Sequence, residues 1–228
     1  MEKEILRYER NIGTITEAEQ EILCKSSVII AGCGGLGGYA AEFLSRLGIG
    51  KISLVDGDVF NVANLNRQLN SLEENIGAFK AEETKNRLLR INSSLSVFAH
   101  NEYLSEENAE EILKNHDIII DALDNVNSRL LLEKWAAFLG IPLVHGAVKE
   151  WYVQVSVIYP GDNSLSLLYK GRGEESVSIP SFTPAFCASI QVSQAVKVLL
   201  KKDNIYRNKL FTANLLDGSF DIISLNAV

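Results

Sequence analysis

The stretch "VIIAGCGGLGGYAAEFL", residues 28–44, decides the fold of this chain. Its first four residues are apolar and predict a buried strand, and the residues from Gly38 onward predict a helix. Between them, Gly32, Gly34 and Gly37 have the spacing G-x-G-x-x-G. Glycines at this spacing let backbone N–H groups and a helix N-terminus approach a phosphate, although the same turn can also join strand to helix without a ligand. The stretch predicts a strand–turn–helix unit of the kind that usually binds a dinucleotide.

Predicted strands and helices alternate along the first two thirds of the chain, which is typical of a parallel sheet flanked by helices. From residue 153, "VQVSVIY" alternates in polarity and predicts antiparallel strands. We therefore expect an α/β fold with a Rossmann-like, mostly parallel sheet, helices on both faces, and antiparallel strands added toward the C-terminus. Residues 1–228 are expected to form a single domain with a nucleotide-binding core at about 25–150. The antiparallel extension, a long crossover loop at 160–183 and the last helix would occupy about 151–228.

Composition narrows the possible partners and the compartment. The 228 residues are 46% hydrophobic and carry a net charge of −7, which argues against a nucleic-acid or acidic-membrane surface. The three cysteines are far apart and form no disulfide or metal-binding pattern, as expected in a reducing cytoplasm. The charged N-terminus "MEKEILRYER" does not resemble a signal peptide, and no apolar run approaches the ~20 residues that span a bilayer. A cytoplasmic protein is expected.

The residues after the second predicted strand indicate the kind of nucleotide. Asp56 ends that strand, where a carboxylate can accept hydrogen bonds from a ribose, so an NAD-dependent oxidoreductase is one interpretation. However, "DGDVFNVANLNRQ" then supplies Asn64, Arg67 and Gln68, which a nicotinamide enzyme does not need, and Lys80 begins the next helix. Either cation alone could be a solvated surface charge. Together they favour a triphosphate.

Acidic residues at the end of "IIIDALDN" suggest a metal. Asp121 and Asp124 lie where a carboxylate could hold Mg²⁺ on phosphate oxygens. Asp121 could equally cap a turn or helix, so Asp124 is the preferred ligand. Arg129, one turn into the next helix, could orient Asp124 or support the loop, and we favour support of the loop.

These motifs together resemble the ThiF/MoeB/HesA family, the prokaryotic relatives of ubiquitin-activating enzymes. The resemblance is collinear from about residue 7 to residue 200. It is carried by "RYERN" (7–11), "GCGGLGG" (32–38), "LVDGDVFNVANLNRQ" (54–68), "GAFKAE" (77–82), "IIDALDN" (119–125) and "PLVHGA" (142–147). It implies a homodimeric enzyme that uses ATP and Mg²⁺ to adenylate the C-terminal glycine of a small ubiquitin-like carrier protein ending in Gly-Gly, with release of pyrophosphate.

The resemblance also implies a role for each residue in these motifs. The nucleotide-binding residues would be Gly32, Gly34, Gly35, Gly37, Asp56, Asp58, Asn64, Arg67, Gln68, Lys80 and Asn125. The catalytic residues would be Arg67, Lys80, Asp124 and Arg10, with Asp124 holding Mg²⁺ and Arg10 reaching the ATP of the neighbouring subunit. Attack of a carboxylate on a phosphate needs no base, so His100 and His145 are interpreted as structural.

Two departures from the family pattern matter. Many relatives bind a structural zinc through two Cys-x-x-Cys pairs, whereas "SLSLLYKG" (164–171) stands where the first should fall, so no zinc is expected. Relatives also carry a crossover-loop cysteine where this chain has Phe182, and Cys187 is expected to be a packed thiol. A non-catalytic scaffold that binds a ubiquitin-like partner is the remaining alternative, which the presence of all four predicted catalytic residues weakens.

Overall fold

The computed structural model describes residues 6–171 and 178–225 and contains the predicted alternation of strands and helices. The helices are α1 (Glu17–Lys25), α2 (Gly35–Leu47), α3 (Lys80–Ile91), α4 (Ala109–Leu113), α5 (Val126–Leu139), α6 (Ser164–Leu168) and α7 (Phe182–Leu199). The strands are β1 (Ser27–Ala31), β2 (Lys51–Val55), β3 (Ser96–His100), β4 (Ile118–Asp121), β5 (Leu143–Lys149), β6 (Tyr152–Ile158), β7 (Lys209–Asn214) and β8 (Ser219–Ser224). Short 3-10 turns span Val62–Asn64 and Glu73–Asn75.

The strands form one sheet in the order β3-β2-β1-β4-β5-β6-β7-β8. The first five strands of this order are parallel, and β6, β7 and β8 are each antiparallel to the preceding strand. The predicted fold class is therefore confirmed. The strand order reverses between β1 and β4, and such a reversal opens a crevice at the carboxyl ends of the two strands, where α/β proteins bind ligands.

The central strands are buried on both faces. Along β1, Val28 and Ile30 belong to the larger apolar cluster, which includes Leu44 of α2 and Ala188 of α7. Ile29, on the opposite face of β1, belongs to a second cluster with residues of α4 and α5. Because neighbouring residues of a strand point to opposite faces, a continuous apolar run is what a strand covered by helices on both sides requires.

The helix that follows the glycine turn begins at Gly35, three residues before the predicted start at Gly38. Gly37 lies in its first turn, and a Cβ atom at Gly37 would lie 1.8 Å from the carbonyl oxygen of Gly32. The missing side chain therefore lets the helix pack directly on the turn. The helix must start this early to bring its N-terminus to the end of β1.

The crossover segment contains a helix that the sequence did not predict. Residues 160–183 were expected to form a long loop, but α6 lies within them, and residues 172–177 fall outside the described part of the chain. The buried carboxylate of Glu133, on α5, accepts hydrogen bonds from the backbone N–H groups of Leu165 and Ser166 and from the hydroxyl of Ser166. A distant side chain thus fixes the start of α6. In residues 6–171 and 178–225, we find no helix with the length and apolarity needed to cross a bilayer.

Candidate functional site

A pocket of about 380 Å³ lies at the carboxyl ends of the central strands. It collects predicted residues from four separate motifs, because these motifs all follow strand ends that meet at one edge of the sheet. The predicted residues that line it are Gly32, Gly34, Gly35, Asp56, Asp58, Arg67, Gln68, Lys80, Asp124 and Asn125.

The floor of the pocket is the glycine turn. Gly32 has a φ of +94°, and a Cβ atom there would lie 2.6 Å from the carbonyl oxygen of Ala122. Gly34 is the N-cap residue of α2 and has no side chain to cap the helix. The N-terminal N–H groups of α2 are therefore available to an anionic ligand in the pocket. Gly37 is not among the lining residues, and its structural role is the close packing described above.

Asp56 ties the glycine turn to the end of β2. Its Oδ2 accepts from the backbone N–H of Cys33 at 2.6 Å, and its Oδ1 accepts from the backbone N–H of Asp58 at 2.8 Å. Burial raises the pKa of the Asp56 carboxyl above its ordinary value, although these hydrogen bonds oppose the shift. A carboxylate oxygen can accept more than one hydrogen bond, so Asp56 retains acceptor capacity toward the pocket.

Lys80, Asp58 and Tyr103 form a connected group on one wall. Nζ of Lys80 lies 2.7 Å from Oδ2 of Asp58, and the hydroxyl of Tyr103 donates to Oδ1 of Asp58 at 2.5 Å. Burial raises the pKa of the Asp58 carboxyl, but the hydrogen bonds from Lys80 and Tyr103 outweigh burial and hold that pKa below its ordinary value. The bond to Asp58 raises the pKa of Tyr103, so its phenol remains a donor at neutral pH.

Arg67 and Gln68 face the glycine turn from the loop after β2. Nη1 of Arg67 donates to the carbonyl oxygen of Ala63 at 2.9 Å and to Oδ1 of Asn66 at 2.8 Å, which orients the guanidinium. Gln68 is buried, and within the described ranges its Oε1 has no hydrogen-bond partner. A buried acceptor without a donor is costly, so a ligand that donates a hydrogen bond there would lower that cost.

The two aspartates at the end of β4 have different environments. Asp124 is exposed and lines the pocket beside Asn125, whose Oδ1 accepts from the backbone N–H of Ser128 and caps α5. Asp121 is fully buried and does not line the pocket. Its Oδ1 accepts from the backbone N–H of Leu123, and its Oδ2 is paired with His145. Asp121 therefore caps the turn. Its predicted alternative role as a Mg²⁺ ligand is wrong, because its carboxylate is fully buried outside the pocket.

The position of Asp124 depends on Arg129. Nε and Nη2 of Arg129 donate to the carbonyl oxygen of Leu123, at 3.2 and 2.6 Å, and Nη1 donates to the hydroxyl of Tyr169 at 2.8 Å. Arg129 therefore supports the loop that carries Asp124. Within residues 6–171 and 178–225, no group of three or more His, Cys, Asp or Glu side chains could hold a metal by itself.

Besides Gly37, two predicted residues do not line this pocket. Asn64 is buried, and its Oδ1 accepts from the backbone N–H of Asn61, which closes the 3-10 turn of the same loop. Arg10 is exposed in the segment before α1. Its predicted role concerns the pocket of a second copy of the chain and remains a prediction.

The structure confirms that Cys187 is a packed thiol. Its side chain is fully buried in α7, and its Sγ contacts the carbonyl oxygens of Ala147 and Gln154, each at 3.7 Å. Burial raises the pKa of this thiol far above its ordinary range. Phe182, at the position where the family resemblance implies a cysteine, begins α7.

Sequence reasoning missed Tyr103 and Gly57 as pocket residues. Tyr103 follows β3 by three residues, and the carboxyl end of β3 lies at the same edge of the sheet as that of β2. This placement was the available signal: a polar aromatic residue just beyond a parallel strand belongs to the ligand-binding edge.

The fold and the pocket define a Rossmann-type nucleotide-binding domain in which Arg67, Lys80 and Asp124 lie around the glycine turn. The sequence profile of the ThiF family matches residues 8–227. The chain belongs to the ThiF family, and the predicted resemblance is confirmed.

Curated relatives have related names. A "Sulfur carrier protein adenylyltransferase" of Thermus thermophilus is 31% identical over 96% of this chain and 86% of the relative. A "SAMP-activating enzyme E1" of Haloferax volcanii is 29% identical over 95% of this chain and 84% of the relative. The "Adenylyltransferase and sulfurtransferase MOCS3" of Xenopus laevis is 31% identical over 97% of this chain, which spans about half of that longer protein, 51%.

Solved structures share the fold. The structure of PaaA has a TM-score of 0.85 at 23% identity and covers 99% of this chain and 75% of that one. The structure of E. coli MccB with ATP has a TM-score of 0.83 at 21% identity and covers 96% of this chain and 71% of that one. At this level of identity, the likeness concerns the fold alone.

Proposed function

We propose that this chain is an adenylyltransferase that activates the C-terminal glycine carboxylate of a small ubiquitin-like carrier protein ending in Gly-Gly. The observation that carries the proposal is the convergence of Arg67, Lys80 and Asp124 on one pocket beside a glycine turn. Arg67 and Lys80 beside the glycine turn, together with the exposed carboxylate of Asp124, suit a triphosphate with a divalent cation better than the diphosphate bridge of NAD. The named activities of the Thermus and Haloferax relatives agree with this choice.

The chain's own residues would bind both the ribose and the phosphates of ATP. The carboxylate of Asp56, which retains acceptor capacity, would accept hydrogen bonds from the ribose hydroxyls. The glycine turn and the N-terminus of α2 would hold the phosphates through backbone N–H groups. The Oε1 of Gln68, buried without a partner among the described residues, would accept a hydrogen bond from a donor on the bound substrates.

The residues also fit a divalent cation. Mg²⁺ keeps several waters and is commonly held by one or two carboxylates together with substrate phosphates, so a single exposed carboxylate suffices. Asp124 is the residue that would hold it, with Asn125 beside it. When bound, Mg²⁺ supplies charge neutralisation on the phosphate oxygens. Arg129 would keep Asp124 in place through the carbonyl group of Leu123.

The reaction needs positioning and charge neutralisation. One oxygen of the carrier's carboxylate attacks the α-phosphorus, the bond from that phosphorus to the bridging oxygen breaks, and pyrophosphate leaves with the electron pair. No proton has to be removed from the nucleophile, which is why a buried His145 is compatible with catalysis. Arg67 and Lys80 would stabilise the charge that develops on the transferring group and on pyrophosphate.

We further propose that the enzyme acts as a homodimer in the cytoplasm. Arg10 is exposed and lies outside the pocket of its own chain, so a role at ATP would be provided to a second copy. The three cysteines Cys24, Cys33 and Cys187 are free, which suits a reducing compartment.

The deciding experiment is ATP–pyrophosphate exchange with the purified protein and small ubiquitin-like proteins that end in Gly-Gly, taken from the same genome. We expect exchange that requires both Mg²⁺ and a carrier, and that is lost when the last glycine of the carrier is removed. Calorimetry with ATP and with NAD provides a second measurement, in which ATP should bind and NAD should not. A carrier that binds without supporting exchange would indicate the scaffold, and preferential binding of NAD would indicate the oxidoreductase.

A further inference from the structure

Tyr103 lies over the end of β2 beside the nucleotide pocket. Tyr103 is 68% exposed, yet its ring is closely packed on one side, because a Cβ atom at Gly57 would lie 2.7 to 2.8 Å from the ring carbons. Only a residue without a side chain at position 57 lets the ring lie this close to the backbone. The ring contact and the hydroxyl bond to Asp58 together give Tyr103 a defined position at an exposed site.

The hydroxyl of Tyr103 bonds the carboxylate of an ion pair whose lysine would bind a phosphate of ATP. Lys80 is only 6% exposed, and among the described residues Asp58 is the hydrogen-bond partner of its ammonium group. The ammonium of Lys80 has three N–H donors, so a phosphate of ATP that binds it would compete with Asp58 for the same positive charge. The bond to Asp58 would then weaken while the Asp58 side chain is still about half covered, at 46% exposure.

A second donor lowers the cost of that exchange. The Tyr103 hydroxyl donates to Oδ1 of Asp58, the oxygen that Lys80 does not use. It can therefore stay bound to Asp58 after Lys80 has turned toward a phosphate. Without it, Asp58 would depend on Lys80 alone among the side chains described, and would hold the ammonium more strongly.

We propose that Tyr103 is a positioning residue for nucleotide binding: it satisfies Asp58 so that Lys80 can exchange this carboxylate for a phosphate of ATP. This inference rests on the proposed function, because it assigns Lys80 to the nucleotide. Tyr103 acts through Asp58 and Lys80 rather than on the reacting atoms.

The test is a double-mutant cycle on ATP affinity, measured by calorimetry with Mg²⁺ and without carrier. Tyr103→Phe keeps the ring and removes the hydroxyl, and we expect it to weaken ATP binding about fivefold. In an Asp58→Asn background, where the carboxylate charge is absent, the same change should have almost no effect. Tyr206→Phe is the control, because Tyr206 is stacked on Phe211 and does not line the pocket.

A second variant tests the coupling between Tyr103 and Asp58 without changing either of these residues. Gly57→Ala places a methyl group where the Tyr103 ring lies, so the ring must shift and the bond from its hydroxyl to Asp58 should weaken. We expect a loss of ATP affinity up to that of Tyr103→Phe, and no added loss when the two changes are combined. This variant also serves if Asp58→Asn does not fold.

Each other outcome overturns the inference in a recognisable way. Equal ATP affinity of wild type and Tyr103→Phe would show that the hydroxyl has no role, while leaving the proposed function intact. An equal loss in the Asp58→Asn background would show that Tyr103 acts on the nucleotide directly. A wild-type protein that does not bind ATP would overturn both the inference and the proposed function.

Discussion

Nδ1 of His145 lies 2.7 Å from Oδ2 of Asp121, and neither side chain is exposed to solvent. The pair joins β5 to β4 directly behind the pocket wall. The Nε2 atom of His145 also lies 3.1 Å from the hydroxyl of Tyr169, which contacts Arg129. Burial lowers the pKa of His145 below its ordinary value of 6.5, although Asp121 opposes the shift, so the imidazole is neutral at pH 7.

This pair predicts a pH-dependent stability. The pKa of His145 is lower in the folded than in the unfolded protein, so the unfolded state binds the proton first as the pH falls. The free energy of unfolding should therefore decrease below pH 6.5. One such histidine contributes at most about 1.4 kcal/mol per pH unit. The measurement is urea unfolding at several pH values between about 7.5 and about 5. This range extends roughly one pH unit to either side of the ordinary histidine pKa.

The matched variant is His145→Gln, which should show a smaller decrease than wild type over the same pH range. It should retain the part contributed by His116, whose pKa burial also lowers. His116→Gln is the complementary variant and should retain the part of the decrease contributed by His145. If His145→Gln and wild type lose stability equally on acidification, the His145–Asp121 pair is not the source.

Asp124→Asn tests the carboxylate that we propose binds Mg²⁺. The change removes the negative charge that would bind Mg²⁺. We therefore expect carrier-dependent exchange to fall at least about 100-fold and to require a higher Mg²⁺ concentration. Asp203→Asn, at an exposed position away from the pocket, should leave exchange unchanged. Exchange at the wild-type rate and the wild-type Mg²⁺ requirement would remove Asp124 from the site.

Mixing two inactive variants tests whether a site is shared between subunits. Arg10→Ala and Lys80→Ala should each be inactive alone, but a heterodimer would combine an intact Lys80 in one chain with an intact Arg10 in the other. After random exchange of subunits, half of the dimers would contain one restored site of two, so about one quarter of wild-type activity should return. A mixture that stays inactive although heterodimers form would show that each site is complete within one chain.

The buried thiol predicts that the enzyme stops at the carrier acyl-adenylate. A covalent adduct needs a thiolate, and burial raises the pKa of Cys187 so that it stays protonated. Cys24→Ala and Cys187→Ala should therefore keep carrier-dependent exchange. Intact-mass spectrometry of wild-type enzyme with ATP and carrier should show no enzyme–carrier species. A thiol-sensitive adduct that disappears in Cys187→Ala would make Cys187 the catalytic thiol.

Local patterns were enough to predict the fold and the placement of much of the pocket. The glycine turn and Asp56 belong to one strand–helix–strand unit, so their separation along the sequence is enough to predict that they lie close together in the structure. Lys80 and Asp124 are distant in sequence, but both follow elements whose ends meet at the same edge of a parallel sheet. Their placement followed from topology, while their roles remain predictions.

The remaining features depend on partners far along the chain. Asp121 and Asp124 are the same residue type, so type alone did not predict which of them would line the pocket. Asp121 instead pairs with His145, 24 residues later in the chain. The proposed role of Tyr103 depends on Asp58, 45 residues earlier, and on the missing side chain at Gly57. A single sequence read by periodicity does not carry such pairings, which arise only when the sheet has formed.

The bond from Glu133 to the start of α6 has a consequence for the order in which the chain becomes protected from solvent. A helix of five residues is too short to persist alone, so its first amides are held by a carboxylate on α5. In hydrogen–deuterium exchange, the amides of Leu165 and Ser166 should therefore exchange at a rate similar to that of the α5 amides, and more slowly than the amides of the surrounding loop. Glu133→Gln should accelerate deuterium uptake at these two amides, which makes them reporters of the docking of the crossover segment on the domain.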